Sequence, residues 1–396
     1  MAAPLEKTMK ILSVILALAI AFPVPGGQAA SRRPAADLPL TQNGGTWSSG
    51  HVQGIAVDVK GGYIYYSFTN LLARYDFSGR LVGTLVGWDG HLGDLDFNPA
   101  DGKVYGSLEY KDKRAFYIAV IAVSRIDRVG IDAGKSGILG AVYLPEVAKD
   151  YSAGLDRGPS GRVPEPDAFP AHRYGCSGID GVAFGPEFGH EAGPRYLTVA
   201  YGIYGDTRRD DNDHQVLVQY DVTHWSRYNR PVADALSRHD GPAAVRGKYF
   251  VRTGNTRYGV QNLAYDPFLR RWFLGVYQGS KPAFPNYRLF AVDAAATPGL
   301  TDLVGVPGPG GKGWEKGWVL PLASDGLVDD ATGIRGWAQK ADVGFQPIGG
   351  GLYYLVRNSG EKGRQTADLT LMRWTGEAAR PFEPAKTGLL PSADLQ

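Results

Sequence analysis

Cysteine is nearly absent from this chain. Among 396 residues only Cys176 carries a thiol, which excludes an internal disulfide framework and any metal centre built on paired cysteines. Packing must therefore hold the fold, and Cys176 reads as a small buried side chain. Long hydrophobic runs are also missing. The run from Ile11 to Phe22 is about a dozen residues, too short to cross a hydrocarbon core of roughly 30 Å as a helix, and no later segment is longer and as apolar, so stable membrane insertion is not expected. An excess of charge of one sign is lacking too: Lys and Arg number 42 against 40 Asp and Glu. Without a basic stripe, nucleic acid is not an expected partner. No HExxH motif and no paired CxxC occurs. Gly308 to Gly313 is glycine-rich but lacks the spacing of a phosphate-binding loop and contains Pro309, so it reads as a connection.

What is present begins with a leader. Lys7 and Lys10 precede the apolar run, and the small residues Gly26 to Ala30 follow it. This is the basic, apolar, cleavable order of a secretory signal. Residues 1–30 are read as that signal, residues 31–48, rich in Pro, Ala, Ser and Gly, as a flexible linker, and residues 49–390 as one domain. The chain is expected to be exported, periplasmic or extracellular, and to act as a monomer.

Glycine is abundant, with 54 residues, about twice average usage. Together with 22 tyrosines this points to many short strands joined by tight turns. From residue 51 one pattern recurs five times: a polar residue, a short strand of alternating large and small residues, a turn, and two further strands, the last usually ending in Asp. The first strands start around Gln53, Asp94, Asp180, Asn262 and Asp342. Second strands run Tyr63 to Phe68, Val104 to Tyr110, Tyr196 to Tyr201, Trp272 to Tyr277 and Leu352 to Val356. Fourth strands are fainter: Leu81 to Val86, Leu139 to Leu144, Lys248 to Arg252 and Trp318 to Leu322. The fifth repeat lacks a fourth strand after Trp374, and either the segment before His51 or the tail near Phe382 can complete it. The pattern predicts an all-β five-bladed β-propeller. Six or seven blades would need a degenerate repeat inside one of the longer repeats.

Propeller geometry gathers the polar residues. Starts of inner strands and ends of second strands share one rim, the face on which loops carry function. That rule collects His51, Gln53, His91, Asp94, Asp180, Gln261, Asn262 and Asp342 from strand starts. From strand ends it adds Asn70, Glu109, Lys111, Tyr201, Tyr204, Asp206, Gln278, Arg357 and Asn358. The insertion before the third blade adds His172, Arg173 and Tyr174. His91, Asp94, Glu109, His172, Asp180 and Tyr201 are the candidate acids and bases. His51, Gln53, Arg173, Tyr174, Tyr204, Gln261, Asn262 and Arg357 are the candidate ligand contacts. Polar residues at strand starts also cap backbone and hold water, so part of this set is expected to be structural.

Two chemistries suit the set. Cutting a glycan by hydrolysis needs two carboxyl groups of unequal acidity, for which Asp94, Glu109 and Asp180 are placed; elimination needs a His or Tyr base and a cation facing a uronate. Tyr204, Tyr258 and Trp337 offer aromatic faces for sugar rings. The second chemistry is a bound calcium ion, for which Asp94, Asp180, Asn262 and Asp342 supply oxygens near the axis. The run Asp206 to Asp213 is calcium-like in composition, but it lacks the glycine and terminal glutamate of an EF-hand loop and holds two arginines, so it reads as a solvated loop.

The stretches His51-Val52-Gln53-Gly54, Gly90-His91-Leu92-Gly93, Val104 to Lys111, His172 to Gly181 and Ala200 to Asp206 resemble a group of exported bacterial β-propellers of unassigned function, over most of residues 49–376. In architecture the chain is similar to five-bladed carbohydrate-active propellers such as arabinanases. That likeness implies carboxylates near the axis, with Asp94 and Asp180 in comparable places, and often a metal. Gln53 stands where that scheme has an aspartate. Gln53-Gly54 also resembles the repeat start of plant-type glutaminyl cyclases. The resemblance implies a carbohydrate-active enzyme, with a non-catalytic glycan- or protein-binding propeller as the alternative.

Overall fold

Three inner strands of this protein end on residues that cap their own turns. The side-chain oxygens of Asp58, Asn98 and Asp266 accept the N–H groups of Gly61, Ala100 and Phe268 at 2.7, 3.1 and 2.9 Å. Such Asx turns reverse the chain within a few residues and let the next strand pair at once. The computed structural model describes residue 1 and residues 37–153, 172–309 and 312–390. The leader expected over residues 1–30, apart from Met1, and the start of the expected linker lie outside the described residues. Among the described residues no helix is long and apolar enough to cross a membrane.

The strands form five antiparallel blades. The first holds Val52–Asp58, Tyr63–Phe68, Leu71–Asp76 and Leu81–Val86; the second holds His91–Asn98, Lys103–Tyr110, Ala115–Ile121 and Leu139–Tyr143. The third is built from Cys176–Gly185, Tyr196–Ile203, His214–Tyr220 and Gly247–Arg252, and the fourth from Thr256–Asp266, Arg271–Gln278 and Leu289–Asp293. Phe345–Gly349, Leu352–Glu361 and Arg364–Trp374 make the fifth. Inner strands pack against one another in cyclic order, the first against both the second and the fifth.

Hydrophobic packing fixes the count at five. The buried apolar residues fall into five clusters, one between each pair of adjacent blades. Ile55 and Tyr66 of the first blade meet Tyr354 and Leu369 of the fifth in one of them, so the ring is closed rather than open. Large side chains such as Trp272, Tyr65, Tyr354 and Phe273 are fully buried between blades. Cys176 is likewise buried and free, and burial pushes its thiol up.

Closure uses both ends of the domain. Thr41–Trp47 pairs with Arg364–Trp374 from Thr41 opposite Thr370 to Trp47 opposite Gln365, and Phe382–Pro384 pairs with the same strand at residues 372–374. The two candidate completions of the fifth blade are thus both used. Thr41–Trp47 is a strand rather than part of a linker, because the exposed edge of the fifth blade supplies unmet backbone partners.

The fourth blade departs from the expected pattern. Trp318 to Leu322 is not its outer strand: Trp314–Leu320 crosses to the third blade and pairs in parallel with Gly247–Arg252, and Gly299–Pro307 follows it as the outermost strand there. The fourth blade keeps three strands, its edge met by the bridge from Leu289 to Trp337 and by the Ala323 N–H, which donates to the Ala291 carbonyl at 2.8 Å.

Candidate functional site

A single irregularity recurs where the inner strands reach the rim. The pairing register slips by one residue between Val52 and Gly54, between Leu92 and Leu95, between Ile179 and Val182, and between Val260 and Asn262. In each case the inner strand carries one residue more than its partner. A bulge of this kind re-aims a side chain that regular pleating would bury against the next blade. The residues within these slips are Gln53, Gly93 with Asp94, Asp180 with Gly181, and Gln261. Close approach of the strands needs glycine here: a Cβ on Gly54 would stand 2.7 Å from the Asp94 Cα, and one on Gly93 would stand 2.4 Å from the Ser107 hydroxyl.

At the rim titratable residues of the second and third blades assemble against Gln261 of the fourth. His91 and Glu109 face each other across the second blade, with Nδ1 3.2 Å from Oε1, and Lys111 Nζ lies 3.0 Å from the same oxygen. The other Glu109 oxygen accepts the Ile179 N–H at 3.2 Å. It reaches that backbone because residue 178 is glycine at φ +127°, where a Cβ would sit 2.1 Å from Oε2. Asp180 lies within electrostatic reach of His91, Lys111 and Glu109, and its carboxylate accepts from Gln261 Nε2 at 2.8 Å. Both carboxyl groups are buried, Glu109 3 % and Asp180 6 % exposed, while the His91 side chain is 31 % exposed.

The two carboxyls are driven in opposite directions. Burial and the charge of Glu109 push Asp180 up to about 7. Burial raises Glu109 as well, but Lys111 and His91 outweigh it and hold the group below the usual carboxylate range. Burial lowers His91, yet its bond to Glu109 and the charges of Glu109 and Asp180 leave the imidazole above its ordinary value. Carboxyls with separated acidities are the arrangement that acid–base chemistry uses.

An opening of about 840 Å³ is lined among others by Arg257, Tyr258, Tyr277, Arg288, Lys340 and Asp342, and Tyr277 lies within electrostatic reach of Asp180. The volume falls within the range of about 300–1,000 Å³ usual for ligand sites. His51 links the two parts: its Nε2 is 3.0 Å from the Tyr277 hydroxyl. Burial, then the charges of His91 and Lys340, lower the His51 imidazole, and burial raises the Tyr277 phenol. A neutral imidazole therefore faces a neutral phenol at neutral pH. Tyr258 holds a left-handed backbone, φ 63°, with its ring 41 % exposed. Non-glycine residues adopt that region at a cost, commonly at ligand sites.

Other candidates lie elsewhere. Asp94 is in the interior of the axis, where Oδ2 accepts the N–H groups of Val182 and Leu263 at 3.0 and 2.9 Å and Oδ1 accepts Asn262 Nδ2 at 3.0 Å. Asn262 Nδ2 also donates to the Gln53 carbonyl at 2.9 Å. Asp94, Asn262 and the Gln53 carbonyl thus tie four blades together instead of facing a ligand. Tyr201 turns to Asp150 at 2.9 Å, between the second and third blades, because alternate residues of a strand face opposite sides. His172 is buried, donates from Nδ1 to the Cys176 carbonyl at 2.7 Å, and packs between Tyr151 and Tyr204. Arg173 and Tyr174 both bond Glu315 of the added outer strand, at 2.7 and 2.6 Å. Tyr204 is buried. Arg357 is exposed where the second strand of the fifth blade extends into its hairpin.

The expected calcium ion does not fit these residues. Backbone N–H groups and an amide N–H point at Asp94, Asn262 presents its nitrogen to that carboxylate, and Asp180 is held by Gln261. Among the described residues no group of three His, Cys, Asp or Glu is arranged to hold a metal. The calcium-like loop Asp206 to Asp213 is not simply solvated either. Lys281 Nζ, 7 % exposed by residue, bonds the Arg209 carbonyl, Asn212 Oδ1 and Asp213 Oδ1 at 2.5, 2.8 and 2.5 Å. An ammonium ion occupies the oxygen cage.

Residues that sequence reasoning missed are Tyr277, Arg257, Arg288, Lys340 and Lys281. Tyr277 sat at the end of a second strand and its rim position was readable from that alone. Arg288 and Lys340 come from irregular segments, for which strand periodicity carries no signal.

Comparison with protein-family models finds no match for the chain, and comparison with curated proteins finds none. Solved structures similar to it are propellers at low identity. The Dos1 propeller is 10 % identical over 84 % of this chain and 57 % of its own, with a TM-score of 0.32; the chain thus spans little more than half of that protein. The β-propeller domain of Cps50 (Swd1) from Myceliophteria thermophila is 9 % identical, covering 80 % and 82 % of the two chains, with a TM-score of 0.30. A protein of unknown function from Bacteroides caccae is 11 % identical over 69 % and 87 %, with a TM-score of 0.27.

Proposed function

We propose that this protein is an exported enzyme that cuts a glycan chain at the axial mouth. One observation carries the reading: Tyr277 and Asp342 line a cavity of ligand size, Tyr277 bonds His51 and lies within electrostatic reach of Asp180, and the neighbouring carboxyls Glu109 and Asp180 are shifted in opposite directions. Export rests on the basic, apolar and small-residue order of residues 1–30.

Elimination suits the site better than hydrolysis. A retaining hydrolase needs a free carboxylate as nucleophile, whereas both Glu109 oxygens are occupied by His91, Lys111 and Ile179. In elimination a base removes the proton at C5 of a uronate, the electron pair forms the C4–C5 double bond, the C4–O bond breaks, and the departing oxygen takes up a proton. The neutral His51–Tyr277 pair can accept the first proton and return one.

The test is incubation with a panel of neutral and uronic polysaccharides. Unsaturated products absorbing in the ultraviolet are expected. New reducing ends without that absorbance would move the reaction to hydrolysis, and an unaltered panel would overturn the enzyme reading. The satisfied hydrogen bonds of Glu109 and Asp180 favour a second reading, a glycan-binding propeller without turnover, and retained binding on an unaltered panel would select it.

A further inference from the structure

Three cations around the opening lack a full counter-charge. Arg257 is exposed, and no carboxylate among the described residues pairs with it. Arg288 spends its guanidinium on an amide, with Nε and Nη2 3.2 and 3.1 Å from Gln278 Oε1. Lys340 Nζ is 3.8 Å from Asp342, the one acid lining the cavity, and burial raises that carboxyl above its ordinary range. Protein surfaces usually intersperse opposite charges. A concave site with one sign in excess focuses its field on an anion entering it.

The geometry adds the rest of a ligand description. Tyr258 offers an exposed ring held by a bulge in the inner strand of the fourth blade, between Arg257 and Val260, and its carbonyl is fixed by Gln261 Nε2 at 2.8 Å. Aromatic faces of this kind pack on the apolar face of a pyranose. Guanidinium forks match a planar carboxylate in a way a point charge does not.

We propose that the mouth selects a sugar bearing a carboxylate, a uronate unit, with Arg257 and Arg288 as its anion contacts, Lys340 supplying further positive field, and Tyr258 against the ring. This rests on the glycan reading above and names its substrate class. The sequence raised a uronate only as what elimination requires and did not point to these three cations, which come from a bulge and two loops.

Direct binding tests it without requiring turnover. Calorimetry would use the full chain with three oligosaccharides of equal length: neutral, uronic and sulfated. The uronic one is expected to bind at least about tenfold tighter than the neutral one, since a charge-assisted hydrogen bond is worth about 1.5–3 kcal/mol. Arg257→Gln and Arg288→Gln should each remove most of that preference while leaving the melting temperature unchanged. Equal affinity for neutral and uronic ligands, or no binding of either, would overturn the proposal. A sulfated ligand bound as tightly as the uronic one would overturn the choice of carboxylate. Cleavage of a neutral chain with no preference for an acidic one sinks this inference and leaves the enzyme reading standing. Tight uronate binding with no turnover on any polymer does the reverse.

Discussion

Asp94 and Asp180 begin as equivalents and end as opposites. Each lies in a bulge of an inner strand, each is buried, and burial raises both. Asp94 accepts from the backbone of the third and fourth blades and from Asn262. Asp180 instead answers to side chains: Gln261 by a hydrogen bond, and Glu109, His91 and Lys111 through their charges. Burial therefore does not separate a structural acid from a chemical one. The partner at the other end of each bond does, because backbone donors cannot move with a ligand and side chains can.

The largest expected effect breaks the structural side. Asp94→Ala leaves the two buried N–H groups of Val182 and Leu263 without their acceptor, each worth about 1–3 kcal/mol, so urea unfolding should show a loss on the order of 4 kcal/mol. A loss under about 1 kcal/mol would place Asp94 with the chemical acids. Next comes Lys281→Met, which uncovers the oxygen cage of the 206–213 loop. Removing one partner of a buried pair costs about 3 kcal/mol, read as a lower denaturation midpoint, while added calcium should leave the parent protein's melting temperature unmoved.

The chemical side should show in pH dependence. Asp180 binds its proton more tightly folded than unfolded, and so does His91. Both make the folded state hold more protons, so both remove stability as pH rises: Asp180 between about 4 and about 7, His91 from its unfolded value through its higher folded one. Asp180→Asn should flatten that decline by more than about 1 kcal/mol across the interval, measured by unfolding at stepped pH. In Glu109→Gln the His91 imidazole, losing its largest favourable neighbour, should titrate lower by NMR. The smallest effect belongs to Arg357→Ala on the exposed hairpin, within about 0.5 kcal/mol of the parent by the same unfolding measurement.

Much of this architecture was readable because repeats repeat their reasons. Alternation, an Asp or Asn at the end of an inner strand and a glycine turn mark the blades, and a polar residue at the rim marks each strand start. His51, His91, Glu109, Asp180, Gln261 and Asp342 were found this way. Asp94 was misplaced because a one-residue bulge changes which face a side chain takes, and only pairing reveals a bulge; Tyr201 was misplaced because alternation along its strand aims it between the second and third blades. Trp318 to Leu322 was assigned to the wrong blade because the parallel pairing of Trp314–Leu320 with Gly247–Arg252 spans residues far apart in sequence. His172 was drawn to the rim by chain order, while packing between Tyr151 and Tyr204 keeps it inside.

The seam of the ring has a consequence for the mouth. Thr41–Trp47 and Phe382–Pro384 fasten to one strand, and Leu38 N–H bonds the Gly388 carbonyl at 3.0 Å. The first and last stitches are thus neighbours. His51 lies just past one stitch, and Lys340 and Asp342 lead into the blade that receives both. Tyr277, on the fourth blade, bonds a histidine that leads into the first. A chain with its seam undone would keep every residue of the proposed centre but lose the strand pairs that tie the approach to the first blade onto the fifth.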